Sequence, residues 1–230
     1  MSQTPLIYKR TLDAQAADIL RARIAEGELV PGHRFTEHEI ASELGLSRGT
    51  VRTALKQLTS EGFIAQKPYR GWEVAPLTSI DAYELQTLRL ALEGIAARLA
   101  ASNLDAAGRT ELDAAFEALR SACEGTDRTA AAHHDFNLHK TIVRLSGHRR
   151  LLEYYEMIAR QIQRYIFSSD ALLRGDAELV EQHRPIVEAI IAGDAVLAEE
   201  ESRKHNESEG TLLVTHLVES ESGSISTAAP

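Results

Sequence analysis

The sequence contains one cysteine, Cys123, few aromatic residues, and no long apolar run. One cysteine cannot form an intramolecular disulfide, which suits a protein of the reducing cytosol. No stretch reaches the roughly 18 apolar residues of a membrane-spanning helix. The first ten residues, MSQTPLIYKR, also lack the apolar core of a signal peptide. These absences predict a cytoplasmic protein with no membrane partner.

What the sequence has in plenty is Ala, Leu, Glu and Arg, which favour helix over sheet. The net charge of −9 appears to argue against a nucleic-acid partner, but the charge is unevenly distributed. Up to Pro76 there are ten basic and nine acidic residues, whereas the remainder has 15 and 25. The acidity therefore belongs to the second part of the chain, and a basic surface on the first part remains compatible with phosphate binding.

The first part has the pattern of a winged helix-turn-helix. Apolar spacing predicts one helix, a capping box begins a second at Thr36, and Gly45 ends it before Ser47 caps a third. After Gly62 the pattern changes to two short strands around a turn, which predicts a wing. The expected helices cover residues 11–26, 36–44 and 48–61, and the strands cover 63–65 and 72–74.

The third helix separates its apolar and basic residues onto different faces. Arg48, Arg52 and Lys56 follow one another at four-residue spacing, away from the apolar side, so that face could enter the major groove. Arginine pairs well with guanine, so Arg48 and Arg52 are expected to read bases and Lys56 to contact phosphate. Arg70 beside Gly71, at the wing, is expected to enter the minor groove. The alternative is a small helical domain with a solvated basic face.

These residues resemble the DNA-binding signature of the GntR superfamily. The match includes FTEHEIASELGLSR at positions 35–48 and continues through most of residues 10–76. The resemblance implies that Arg48, Thr50, Arg52 and Gly71 contact an operator. Two positions depart from the family: His38 replaces a common arginine, and Gly49 stands where threonine is usual. Both could alter which bases are read.

From Ser79 onward the sequence predicts about six helices joined by short loops, as in an antiparallel bundle. The fold class is therefore mainly α, with an N-terminal winged helix-turn-helix and a C-terminal all-helical bundle. The expected domains are residues 1–76 for DNA binding and 77–220 for metal, effector and dimerisation. Residues 221–230 are small and polar and are expected to be a disordered tail.

Four residues of the second domain form a candidate metal site. Asp135 and His139 lie four apart on one helix, so both project from the same face. His183 and His205 fall on two later helices. One carboxylate with imidazoles suits zinc best, with nickel, manganese or iron as alternatives. Distant histidines need not meet, and a structural or surface role is the alternative at each position.

The second domain also resembles a known family, the FadR-type C-terminal (FCD) domain. The motifs are DFNLH at 135–139, HRPIVEAI at 183–190 and a histidine, His205, in the last helix. The resemblance implies that Asp135, His139, His183 and His205 bind a metal, and the helix number suggests the VanR-like branch. Pro185 is unusual there and is expected to be tolerated only in the first turn of its helix. Arg89 lines the effector pocket in this family, although Arg89 and Glu93 could be a simple helical ion pair.

These features predict a homodimeric transcriptional regulator that is not an enzyme. It would bind double-stranded operator DNA and respond to a small carboxylate or sugar acid held at the metal. Two alternatives remain open: a DNA-binding protein with a purely structural metal, and a helical metalloenzyme.

Overall fold

The computed structural model describes residues 11–25, 28–125, 128–170, 172–173 and 176–226. The chain forms two compact units, residues 1–76 and 77–230. The predicted fold class is confirmed, because a small winged helix-turn-helix unit precedes an all-helical bundle. The first unit contains helices α1 (Leu12–Ala25), α2 (Glu37–Leu44) and α3 (Arg48–Ser60) and strands β1 (Arg34–Phe35), β2 (Ile64–Lys67) and β3 (Gly71–Val74).

Local signals define the helix-turn-helix. The Thr36 side chain accepts a hydrogen bond from the Glu39 amide, and the Glu39 side chain accepts one from the Thr36 amide. This reciprocal capping box begins α2. Gly45 ends the helix in the left-handed conformation, with φ of 64°. The Ser47 side chain then caps α3 by accepting from the Thr50 amide at 3.1 Å.

The core of the first unit lies between α1, α3 and the sheet. Ala16, Ala17 and Leu20 of α1 are buried, as are Val51 and Leu55 of α3. Ile19 of α1 is exposed.

A short strand that the sequence did not predict completes the sheet. β3 lies between β1 and β2, and both pairings are antiparallel. Gly71 has a φ of 80°, and a Cβ there would lie 2.6 Å from the carbonyl oxygen of Phe35. Gly71 is therefore required for β1 to approach β3, apart from any role at DNA.

The second unit consists, within the described residues, of six helices, as expected. Asp105 caps one of these helices, and left-handed glycines follow two others, Gly147 with φ of 66° and Gly193 with φ of 74°. The helices are α4 (Ser79–Asn103), α5 (Ala106–Cys123), α6 (Arg128–Leu145), α7 (Arg149–Asp170), α8 (Asp176–Ala192) and α9 (Ala195–Ser226).

Two details of the second unit differ from the sequence-based expectations. Pro185 lies in the interior of α8, not in its first turn. Because proline has no amide hydrogen, the helix forgoes one backbone hydrogen bond there. The structure also continues α9 to Ser226, within the segment from residue 221 that was expected to be a disordered tail. Residues 227–230 lie outside the described part of the chain.

The continuation of α9 has a specific cause at the start of α4. The Glu221 carboxylate accepts hydrogen bonds from the amide and the hydroxyl of Ser79, at 2.8 and 2.7 Å. The amide is one of the first-turn donors that have no partner inside a helix. Within the described residues, no helix is long and apolar enough to cross a membrane.

Candidate functional site

Helix α3 has its apolar and its basic residues on different faces, as the sequence predicted. Val51 and Leu55 have no solvent exposure, whereas Arg48, Arg52 and Lys56 are exposed. Their four-residue spacing places the three cations along one side of the helix. This side is free of the packing that fixes α3 in the first unit.

The residues between the first two arginines have different surroundings. Thr50 is half-buried, and its hydroxyl lies 2.9 Å from the Ser47 hydroxyl at the N-terminus of α3. Gly49 is exposed, and a Cβ there would meet only the Ser47 side chain, at 3.7 Å. The fold therefore tolerates a larger residue at position 49, and glycine is not required there by packing.

The recognition helix and the wing share one concave surface of about 370 Å³. Gly71 of the wing lines it, together with Arg48 and Arg52 of α3. Lys56 and Arg70 are exposed but do not line this surface. The residues that line it are Thr36, Glu37, His38, Arg48, Arg52, Gln66, Lys67, Pro68, Tyr69, Gly71 and Trp72.

Arg52 is held by a partner that the sequence reasoning missed. Its Nε and Nη2 atoms donate to the two carboxylate oxygens of Glu37, at 2.9 and 2.8 Å. The hydrogen bonds from Arg52 lower the pKa of Glu37. This two-pronged contact uses one edge of the guanidinium and fixes its plane, while the Nη1 group makes no bond to Glu37.

In the second unit, the structure brings together all four predicted metal-binding residues. Asp135, His139, His183 and His205 are buried, with exposures from 0% to 6%. The Nε2 atom of His139 lies 3.1 Å from that of His183 and 3.3 Å from that of His205. Oδ1 of Asp135 lies 2.7 Å from Nε2 of His183.

Hydrogen bonds fix the orientation of two of these imidazoles. Nδ1 of His183 lies 2.8 Å from the carbonyl oxygen of Leu179 and must donate to it, because a carbonyl only accepts. Nδ1 of His139 lies 2.9 Å from Oε2 of Glu93. In both rings the Nε2 atom therefore faces the cluster, as in a histidine that binds a metal through Nε2.

This arrangement fits a divalent metal. Ligand nitrogens at about 2.0–2.1 Å from a tetrahedral zinc ion are about 3.3 Å apart, close to the two observed spacings. The unprotonated Nε2 of a neutral His183 would oppose a carboxylate oxygen at 2.7 Å, which is repulsive unless a proton or a cation lies between them. Within the described residues, Oδ2 of Asp135 and Nδ1 of His205 are buried without a hydrogen bond.

The electrostatics of the cluster without metal agree with this view. Burial disfavours a charged His183, but the Asp135 carboxylate outweighs burial and raises the pKa of His183 to about 9. Burial also opposes ionisation of Asp135, yet His183 and His139 lower its pKa. Burial, followed by the neighbouring imidazoles, holds the pKa of His205 well below its usual value. Without metal, these shifts favour a protonated His183 beside an ionised Asp135, and a cation between the two groups could take the place of that proton.

Arg89 lies beside the metal-binding residues and is completely buried. Its Nε donates to Glu93 at 3.0 Å, and its Nη1 donates to Glu209 at 3.1 Å. Its Nη2 lies 3.2 Å from Nε2 of His139, and the guanidinium lies over the Tyr165 ring. The helical ion pair of Arg89 and Glu93 is present, and Arg89 also touches a predicted metal ligand.

Glu209 is a further buried charge that the sequence reasoning did not single out. It follows His205 by one helical turn, and its Oε2 lies 3.6 Å from Nε2 of His205. Burial raises the pKa of Glu209 even though Arg89 acts in the opposite direction. The four-residue spacing from His205 was the available signal, but α9 carries too many glutamates for spacing alone to identify this one.

Comparison with known proteins identifies both units. Residues 12–74 match the family described as bacterial regulatory proteins, gntR family, and residues 84–208 match the FCD domain. A probable D-xylose utilization operon transcriptional repressor from Paenarthrobacter nicotinovorans is 34% identical over 86% of this chain and 87% of its own length. A putative L-lactate dehydrogenase operon regulatory protein from Escherichia coli is 27% identical over 83% of this chain and 81% of its own.

Solved structures show the same fold. The E. coli protein McbR/YncC superposes with a TM-score of 0.75 at 23% identity, covering 90% of this chain and 99% of that one. These relatives are regulators of transcription and not enzymes. The chain belongs to the GntR family of DNA-binding transcriptional regulators, as a member whose C-terminal unit is an FCD domain.

Proposed function

We propose that this regulator changes its operator affinity when a small carboxylate metabolite binds at a divalent metal in the FCD domain. The observation that carries the proposal is the buried convergence of His139, His183, His205 and Asp135, with two of the rings oriented by hydrogen bonds. Zinc suits three imidazoles and one carboxylate best, and nickel, manganese or iron are alternatives. When bound, such a metal supplies a Lewis-acidic centre that attracts carboxylate oxygens.

The effector class follows from the charges around this centre and from the relatives. Two relatives are named as regulators of operons for D-xylose utilization and for L-lactate dehydrogenase, which act on a sugar and on a hydroxy acid. We expect a hydroxy acid or a sugar acid, with Arg89 binding one carboxylate. Because Arg89 already donates to Glu209 through Nη1, the effector carboxylate would have to replace Glu209 there. The planar guanidinium could then bind it in the two-pronged manner usual for arginine.

At the DNA end, the proposal assigns base reading to Arg48 and Arg52 and a phosphate contact to Lys56. Gly49 and Thr50 lie between them at the N-terminus of α3, the end of a recognition helix nearest the bases. Arg70 and Gly71 are assigned to the minor groove. The shared concave surface supports a joint role for α3 and the wing.

A homodimer would present two recognition helices to a palindromic operator. Its support is the exposed side of α4, where Ile80, Tyr83, Leu88 and Ile95 are between 40% and 68% exposed. Large apolar residues clustered on one exposed helix surface mark interaction sites. Sedimentation equilibrium is the test, and the mass of a single chain on operator-competent protein would reject the dimer.

The second candidate, a purely structural metal, is favoured by one specific observation. The four predicted ligands are all buried, and Arg89 fills the space beside His139. A closed four-coordinate site would stabilise the bundle and sense nothing.

Metal analysis and a ligand screen test these readings together. Purified protein should contain about one divalent ion per chain, and His139→Ala or His183→Ala should lose most of it. His134→Ala is the matched control, because His134 is half-buried on the same helix and is not in the cluster. Equal metal content in all three variants and the wild type would reject the site.

The screen then measures thermal stability of metal-loaded protein with small carboxylates. A ligand at about 100 times its dissociation constant should add roughly 2.7 kcal/mol of stability. Metal retention without a shift by any hydroxy acid or sugar acid would favour the structural metal over the sensor.

A further inference from the structure

Glu93 makes more contacts than an intrahelical partner of Arg89 requires. Its Oε1 accepts from Arg89 Nε and from the Tyr155 hydroxyl, both at 3.0 Å. Its Oε2 lies 2.9 Å from His139 Nδ1 and accepts from Asn206 Nδ2 at 3.0 Å. One buried carboxylate therefore contacts residues of four helices, α4, α6, α7 and α9.

These contacts fix the chemical state of Glu93. The Tyr155 hydroxyl, the Asn206 amide and the Arg89 guanidinium all donate to it, so the carboxyl group is an acceptor. Arg89 is always charged and has no solvent exposure, and a protonated Glu93 would leave its guanidinium without this compensating anion. Glu93 is thus an anion inside the bundle, and the group facing His139 must be an N–H.

The hydrogen bond to Glu93 also determines the state of Nε2, the other ring nitrogen of His139. An imidazole that donates through Nδ1 keeps the lone pair of Nε2 available unless the ring is doubly protonated. That Nε2 lies 3.1 Å from Nε2 of His183 and 3.2 Å from a donor group of Arg89. A carboxylate behind a metal-binding histidine selects the binding tautomer, orients the ring and increases its basicity.

We propose that Glu93 is a positioning residue for the metal centre, which holds His139 in the Nδ1–H form while holding the Arg89 guanidinium beside it. This inference rests on the proposed metal site and extends it to a residue that makes no direct contact with the metal. Glu93 also links the two halves of the proposed sensor, because one carboxylate orients both a metal ligand and the arginine assigned to the effector.

The first experiment compares Glu93→Gln with Tyr155→Phe. The amide of the introduced glutamine has two possible orientations. If its nitrogen faces His139 Nδ1, the amide donates there and favours the Nε2–H tautomer of His139. If its oxygen faces His139, its nitrogen faces the Arg89 Nε donor, and two donors then oppose each other. Tyr155→Phe removes another hydrogen bond to the same carboxylate and leaves the bond to His139 intact. The measurement is competitive zinc titration of metal-free protein against a chromophoric chelator, with far-UV circular dichroism to check folding.

Glu93→Gln should bind zinc about 10- to 100-fold more weakly than wild type, the usual effect of losing such a partner. Tyr155→Phe should bind zinc as the wild type does. Wild-type zinc affinity in folded Glu93→Gln, or an equal loss in Tyr155→Phe, would overturn the proposal.

The second experiment does not depend on the folding of a variant. In wild-type protein labelled with ¹⁵N-histidine, the His139 ring should carry its proton on Nδ1 both without metal and with zinc. An Nε2–H ring in the metal-free protein would overturn the proposal.

The outcomes separate this inference from the proposed function. If His139→Ala loses zinc while folded Glu93→Gln retains it, the result supports the proposed metal site and rejects the proposed role of Glu93. If wild-type protein binds no zinc, the metal site itself falls.

Discussion

Arg52 can bind Glu37 and still offer a hydrogen-bond donor to a DNA base. Its Nε edge is bound to Glu37, and its Nη1 group is directed elsewhere on an exposed surface. A guanidinium whose plane is fixed before it meets guanine loses less side-chain entropy on binding. We therefore expect Arg52 to act on base discrimination and not merely on general DNA affinity.

The corresponding prediction contrasts Arg52 with Lys56, which lies four residues later on the same exposed side. Arg52→Ala, and similarly Arg48→Ala, should each remove roughly 1–3 kcal/mol of discrimination between operator and altered bases. Lys56→Ala should weaken all sequences alike and reduce the salt dependence. The measurement is titration of operator and mismatched duplexes at fixed and varied salt. Full affinity and specificity in both arginine variants would mean that α3 is not the recognition helix.

Arg89, unlike the exposed Arg52, is a charged residue that is completely buried. Its partners Glu93 and Glu209 supply the compensating charge. Removing one partner from a buried ion pair typically costs about 3–5 kcal/mol. Arg89→Ala would therefore confuse loss of effector binding with loss of the fold, and Arg89→Lys is the sharper variant because it keeps the charge and removes the planar fork.

Among the elements, α4 and α9 depend on each other at their ends. Thr78 and Asp81 form a capping box at the start of α4, and Glu221 of α9 binds the Ser79 amide next to it. An anion near a helix N-terminus also interacts favourably with the helix dipole. Glu221 thus connects α9 to the start of α4, although the surrounding composition is that of a flexible tail.

We expect Glu221→Gln to loosen the first turn of α4, because the neutral amide is a weaker acceptor for the Ser79 amide and hydroxyl. Hydrogen exchange at Ser79 and its neighbours should be faster than in the wild type. Glu219→Gln is the control, since it removes the same charge from the same helix. Unchanged exchange in Glu221→Gln, or an equal increase in Glu219→Gln, would show that this contact does not stabilise the start of α4.

At the scale of the whole molecule, the two units differ in net charge. The near-neutral first unit is suited to DNA, and the acidic second unit contains the buried imidazole cluster and the buried Arg89. An effector can alter operator binding only by binding one state of the regulator better than another. The coupling free energy is typically 1–3 kcal/mol and is the same from either side.

This reciprocity is the prediction for the whole regulator. The carboxylate found by the thermal screen should change the affinity of the regulator for operator DNA by a certain factor. Operator DNA should change the affinity of the regulator for that carboxylate by the same factor. Titrations of wild type and Arg89→Lys, each with and without the other ligand, provide both factors. In Arg89→Lys effector affinity should fall while operator affinity without effector is retained. If the wild type binds the carboxylate and its operator affinity stays the same, the sensor model is wrong.

The sequence by itself determined the helices, their caps and the two families. The capping box at Thr36, the glycine at position 45 and the spacing of the α3 arginines are local features, and local features are readable from a chain. The four candidate metal-binding positions also followed from motifs. The two-residue strand β1 did not, because its only support is a partner strand distant in sequence.

Only the tertiary structure decided which buried and terminal glutamates contact which distant residues. The partners of Glu93 come from four helices, Glu209 reaches Arg89 across 120 positions, and Glu221 reaches Ser79 across 142. Each of these contacts depends on how helices pack, and a glutamate in α9 looks the same in sequence whether it faces solvent or the core. The sequence could name four candidate metal ligands, but only the packed bundle shows which carboxylate lies behind His139.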